Sequence, residues 1–101
     1  MSEIHVGDIG TVLTATLQDI NGTAINISGY MSYMILNRPD NTSFYCSGTL
    51  VNNGTGGTLQ YTTVSGDLNT YGLWRQQGWV YNNSKQYYTD VKQFYVYGNL
   101  G

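Results

Sequence analysis

Between Tyr61 and Tyr97 the chain reads strand, corner, strand, hairpin, strand, an order that few folds can use. The corner runs Val64-Ser65-Gly66-Asp67-Leu68-Asn69-Thr70-Tyr71-Gly72-Leu73-Trp74. Gly66 accepts positive φ, and Asp67 and Asn69 satisfy backbone donors with short side chains, so the chain can reverse here. Gly72 opens a run from Leu73 to Tyr81 that holds Trp74 and Trp79 and has no helical period. Asn82-Asn83-Ser84 then turns the chain into an aromatic strand expected over 85–97.

Composition agrees with strands. Ala occurs only at 15 and 24, so the best helix former is nearly absent, while ten Tyr join abundant Thr, Val and Ile. The apolar fraction, 41%, supports a real core; the charged fraction is only 10%, against about 25% in ordinary globular proteins. A chain of 101 residues suits one domain, expected to span 1–101 and to bury roughly 60 to 70% of its unfolded surface.

Upstream of the corner, Leu13, Ala15 and Leu17 alternate with Thr14, Thr16 and Gln18, the period of a half-buried strand. Asp19-Ile20-Asn21-Gly22 carries the Asn-Gly hairpin signal, and Ile25 and Ile27 resume the alternation. Tyr30 to Leu36 is a continuous apolar run whose inward set is either Tyr33 and Ile35 or Met34 and Leu36. Arg38-Pro39-Asp40-Asn41 ends it as a turn, and 43–50 returns with Phe44 and Cys46 on one face. Residues 52–57 read as a flexible Asn/Gly turn, and 58–63 as a strand with Leu59 and Tyr61 together. Turns recur every dozen or so residues, as in a sandwich. The expected core holds Leu13, Leu17, Ile27, Leu59, Trp74 and Phe94.

Taken in order, Val6-Gly7-Asp8-Ile9-Gly10-Thr11, Asp19-Ile20-Asn21-Gly22, Arg38-Pro39-Asp40-Asn41 and Gly66-Asp67-Leu68-Asn69-Thr70-Tyr71-Gly72-Leu73-Trp74 resemble a family of bacteriophage virion domains. These include the immunoglobulin-like N-terminal domain of phage baseplate upper proteins. The resemblance spans almost the whole chain and implies an all-β, immunoglobulin-like antiparallel β-sandwich of about seven strands. It also implies a non-enzymatic structural role in the virion, assembled in the host cytoplasm. The partners it implies are other virion proteins (capsid, tail or baseplate), met as many copies in a symmetric assembly. The chain departs from the family at Asn41, where Gly is usual, and at Gln76 and Gly78, where apolar or Ala-like residues are usual. The first departure is tolerated because Asn also accepts positive φ. The second bears on which residues of that strand face inward.

Other function classes find little support. A net charge of −2, with Arg38, Arg75, Lys85 and Lys92 scattered, argues against nucleic acid, whose affinity comes from clustered cations. No apolar run approaches membrane-spanning length, and the first residues lack the basic and apolar regions of a signal peptide, so a soluble cytoplasmic product is expected. A lone Cys46 fits a reducing compartment and a buried, inert thiol. The five sequons beginning at Asn21, Asn26, Asn41, Asn53 and Asn82 then follow from composition.

His5, beside Glu3 and Asp8, has no rigid setting or nucleophile with which to build a triad. The carboxylates at 3, 8, 19, 40, 67 and 90 fall mostly at turns and have backbone work there. Asp19-x-Asn21-Gly22 lacks the late Glu of a calcium loop, and the Gly54, Gly56, Gly57 cluster lacks a phosphate-binding Lys. No enzyme, cofactor or metal site is expected.

One constellation remains. Tyr81, Tyr87, Tyr88, Tyr95 and Tyr97 crowd the final hairpin near Trp79, and a small domain cannot bury ten tyrosines. With Phe94 and Val96 inward, Tyr95 and Tyr97 point outward. The expected contact surface comprises Trp79, Tyr81, Tyr87, Tyr95 and Tyr97, on a strand edge with few guarding charges. The alternative reading is a carbohydrate-binding adhesion module that lays the same Tyr/Trp face on host glycans.

Overall fold

The computed structural model describes residues 3–99. Nine strands form two sheets: β1 (Ile4–His5), β2 (Val12–Thr16), β3 (Met31–Asn37), β4 (Ser43–Ser47), β5 (Thr49–Leu50), β6 (Thr58–Thr62), β7 (Gly72–Tyr81), β8 (Gln86–Tyr88) and β9 (Lys92–Tyr97). The larger sheet runs β1-β9-β7-β3-β4, with β8 also beside β7; the smaller runs β2-β6-β5. No α-helix occurs among the described residues.

Alternation sends one residue set between the sheets. Leu13 and Ala15 from β2 and Leu59 from β6 meet Met34, Leu36, Cys46, Trp74, Val80 and Val96 from the larger sheet. On β3 the inward pair is therefore Met34 and Leu36. The expected core residues are fully buried apart from Phe94, which packs against the core partly exposed. Trp74, with no exposed surface, stacks on Phe94 at 5.9 Å and meets Phe44 edge-on at 6.4 Å. The Arg38 guanidinium covers Phe44 at 4.2 Å.

The corner after β6 is built as its residues dictate. The Asp67 carboxylate accepts from the Val64 N–H and the Tyr61 hydroxyl, and Trp74 Nε1 donates to the Thr70 carbonyl at 2.9 Å. Asn41 takes φ 72°, the left-handed conformation that Asn accepts at a turn. The stretch read as a flexible turn after β5 is instead packed. Gly54 and Gly57 carbonyls accept from Ile27 and Leu17, and a Cβ on Gly57 would lie 2.7 Å from two backbone oxygens.

The departures at 76 and 78 leave the inward register of β7 intact. Gln76 is 5% exposed, and its Nε2 donates to the Thr14 carbonyl of the opposite sheet at 2.7 Å. This bond meets the demand that a buried amide be satisfied. Gly78 lies where the opposite sheet packs closely against β7: a Cβ there would stand 2.9 Å from Leu59 and 3.2 Å from Ala15 side-chain atoms.

Three expectations need correction. The pairing is not wholly antiparallel, because β1 runs parallel to β9, Ile4 beside Val96 and His5 beside Tyr97. The final strand is not continuous over 85–97. Trp79 faces Tyr88 and Gln76 faces Lys92, so two residues of β7 oppose three, Thr89 to Val91, in a one-residue bulge. Thr89 secures it, its Oγ1 accepting from the Gly78 N–H at 2.8 Å and its own N–H donating to the Gly78 carbonyl at 2.9 Å. The edge at Tyr87 to Tyr97 is consequently not bare, being interrupted by the bulge and covered by β1 at 96–97.

Candidate functional site

The outward face of the larger sheet carries the aromatic residues that the core does not take. Outward positions are Arg75, Gln77, Trp79 and Tyr81 on β7, Tyr33 and Ile35 on β3, and Tyr45 on β4. Register then sets neighbours. Tyr33 pairs with Trp79 on one side, Tyr88 pairs with Trp79 on the other, and Tyr45 lies beside Ile35.

The rings form a stack centred on Trp79. Tyr81 lies 4.8 Å from it and Tyr33 5.5 Å, both at 28° between planes; Tyr88 lies 6.1 Å away at 11°, and Tyr45 meets it edge-on at 6.0 Å. Centroids this close at shallow angles fall in the range of offset stacking. Trp79 Nε1 donates to Gln86 Oε1 at 3.2 Å, fixing the indole at the rim. The neighbouring Tyr33 hydroxyl pushes the Tyr81 phenol above its ordinary value. Tyr45 and Tyr88 remain 62% and 53% exposed at the ends of the stack.

Beyond Ile35 and Gln77 the face turns polar, where Arg75 is tied across to Asn37 Oδ1 at 2.8 Å. A second aromatic patch, Tyr95 and Tyr97 with centroids 4.8 Å apart, lies past it beside Leu73 and His5. Leu73 and Trp79 are six residues apart, so the two patches lie about 20 Å apart along β7.

Of the five expected contact residues, Trp79 and Tyr81 sit together, and Tyr95 and Tyr97 share their face at its far end. Tyr87 turns the other way, pairing with inward Val80 and lying 6.2 Å from Tyr30. The bulge is the cause. It shifts the strand by one residue, so even-numbered Tyr88 faces outward before it and odd-numbered Tyr95 faces outward after it. Sequence reasoning missed Tyr33 and Tyr45 as members. Tyr45 was partly recoverable, because alternation put it on the face opposite Phe44 and Cys46.

No group of three metal-ligating side chains occurs among the described residues. His5 Nε2 lies 3.1 Å from Glu3 Oε1, and the His5 N–H donates to the Asp8 carboxylate, which ties the N-terminal turn together. Asp19 Oδ1 accepts from the backbone N–H groups of Asn21 and Thr23, so that carboxylate closes a hairpin. Cys46 is buried, which pushes its thiol pKa up and leaves little nucleophilic thiolate. No helix is long and apolar enough to cross a membrane among the described residues. No protein-family model matches the chain, and a search of characterised proteins finds no similar sequence.

Proposed function

We propose that this chain is a non-enzymatic bacteriophage virion protein, an immunoglobulin-like module docking on capsid, tail or baseplate. The immunoglobulin-like reading is supported by strand order. A sheet ordered β9-β7-β3-β4 facing one ordered β2-β6-β5 matches the G-F-C-C′ and B-E-D arrangement of variable-type domains. The virion role rests on the resemblance of the turn sequences given above.

The observation that carries docking is the ring stack around Trp79. It stands on the outward face of a paired sheet and is partly exposed, with Lys85 lining the depression beside Trp79 and Tyr81. Preorganised aromatic residues of this kind act as interface anchors, and truncating a central one costs about 2 kcal/mol or more of binding. The test is particle incorporation of Trp79→Ala/Tyr88→Ala and, separately, Tyr95→Ala/Tyr97→Ala, with imaging to locate the protein. Folded variants with lowered occupancy support the reading. Full incorporation of both would move docking elsewhere, first to the segment Ile4 to Ile9.

Glycan binding is the second reading, favoured by the exposed rings of Tyr45 and Tyr88. It is the weaker because Trp79, the best sugar-stacking ring, is already packed against Tyr33 and Tyr81. Titration with host surface polysaccharide separates the two, since only this reading expects loss of sugar affinity in Tyr88→Ala.

A further inference from the structure

We infer that the free edge of β2 is a docking site for an extended peptide strand from another polypeptide, which would add a strand to the three-stranded sheet. Among the described residues β2 pairs only with β6. The Leu17 N–H donates to the Gly57 carbonyl at 2.8 Å and the Thr63 N–H to the Thr11 carbonyl at 2.9 Å. Odd-numbered residues therefore bond β6. Alternation in an antiparallel ladder then turns the N–H and C=O groups of Val12, Thr14 and Thr16 to the free edge.

One of those groups already has a substitute partner. The buried Gln76 amide reaches the Thr14 carbonyl, occupying the position where the N–H of a neighbouring strand would sit. There is room beside it. Two depressions of about 240 and 250 Å³ adjoin along this edge and share Thr16, Gln18, Thr89 and Asp90. They lie between β2 and the β8–β9 bulge, on the open side of the two sheets.

The chain's own preceding segment leaves this edge free. Gly10 donates to the Thr63 carbonyl and Val6 to the Tyr97 carbonyl, so the backbone crosses to β9 instead of running beside β2. Val12 to Thr16 carries no charge, proline or bulge, the usual guards of an exposed edge. The occupant that fits β2 is an extended segment with small side chains toward the cleft and no acidic residue, because Ala15 and Thr89 line the cleft beside the carboxylates of Asp19 and Asp90. Its backbone supplies the affinity, as in β-strand addition generally.

The test is residue-resolved amide hydrogen exchange on the full chain, with the acetylated and amidated peptide Lys-Thr-Val-Thr-Val-Thr-Lys as probe. Without peptide, Val12, Thr14 and Thr16 exchange freely while Leu13 and Ala15 are protected. With millimolar peptide, exchange at those three slows by about tenfold and the odd positions do not change. Thr14→Pro, which removes only an unpaired N–H, abolishes the response. Should that variant not fold, Val12→Lys/Thr16→Lys abolishes it by placing charge on the edge. Equal protection of odd and even positions without peptide overturns the assignment, as does peptide protection at Tyr45 and Ser47 in place of β2. Protection that grows with protein concentration alone also overturns it, in favour of a second copy.

Discussion

Trp74 and Trp79 stand five residues apart on β7 and occupy opposite surroundings. The odd spacing alone separates their faces. Trp74 has no exposed surface, sits between Phe94 and Phe44, and gives its N–H to a backbone carbonyl. Trp79 collects twice as many aromatic neighbours on the outer face, yet its N–H goes to a side-chain amide at the rim. Similar ring chemistry therefore does different work. Between the sheets it excludes water from a shared core; on the outside it holds a preformed, partly exposed surface.

The sharpest way to break this comparison is to truncate each indole. Trp74→Ala is expected to cost about 3–5 kcal/mol, enough to unfold a marginal domain. Trp79→Ala is expected to cost far less while removing the docking surface. Denaturant melts of both variants decide the matter, and equal losses would erase the distinction between the two faces.

Gly78, between the two tryptophans, gives a smaller effect. Gly78→Val drives a branched side chain into Leu59, Thr89 and Ala15, and overpacking of this kind costs about 1–3 kcal/mol. The outward, exposed Leu73→Val on the same strand is the control and is expected to leave the melting temperature nearly unchanged. A tolerated Gly78→Val would mean that the sheets separate easily.

The smallest effect contrasts two phenols under alkali. Burial, then the bond to Asp67, raises the Tyr61 pKa strongly, whereas Tyr81 is raised by its neighbour Tyr33 at the surface. Folded Tyr61 holds its proton more tightly than the unfolded chain does. Its contribution is thus complete below pH 10, the ordinary tyrosine value, and is lost as pH rises beyond it. Stability measured from pH 9 upward is expected to fall, and Tyr61→Phe to flatten that decline. An unchanged slope in the variant would assign the decline to other groups.

What was legible in the sequence is what local chemistry controls. The Asp67 corner, the Asp19 hairpin and the alternation through Leu13, Ala15 and Leu17 announce themselves within a few residues. The bulge does not, because Thr89-Asp90-Val91 contains neither Gly nor Pro, and its anchor is Gly78 on the neighbouring strand. Missing it reversed the assignment of Tyr87 and Tyr88. Gln76 was equally opaque, since its partner at Thr14 lies 62 positions away. The pairing of β1 with β9 spans nearly the whole chain and rests on two residue pairs, too few to leave a pattern.

That short parallel pairing has a mechanical consequence. Tension applied between the chain before Ile4 and the chain after Tyr97 pulls β1 and β9 past each other along their common axis. The backbone bonds joining them, including Val6 to Tyr97, are then loaded together in shear instead of being peeled one at a time. Two residue pairs thus act as a clasp across the ends of the fold, and force that opens it must break the set at once before the sheets behind it feel any load.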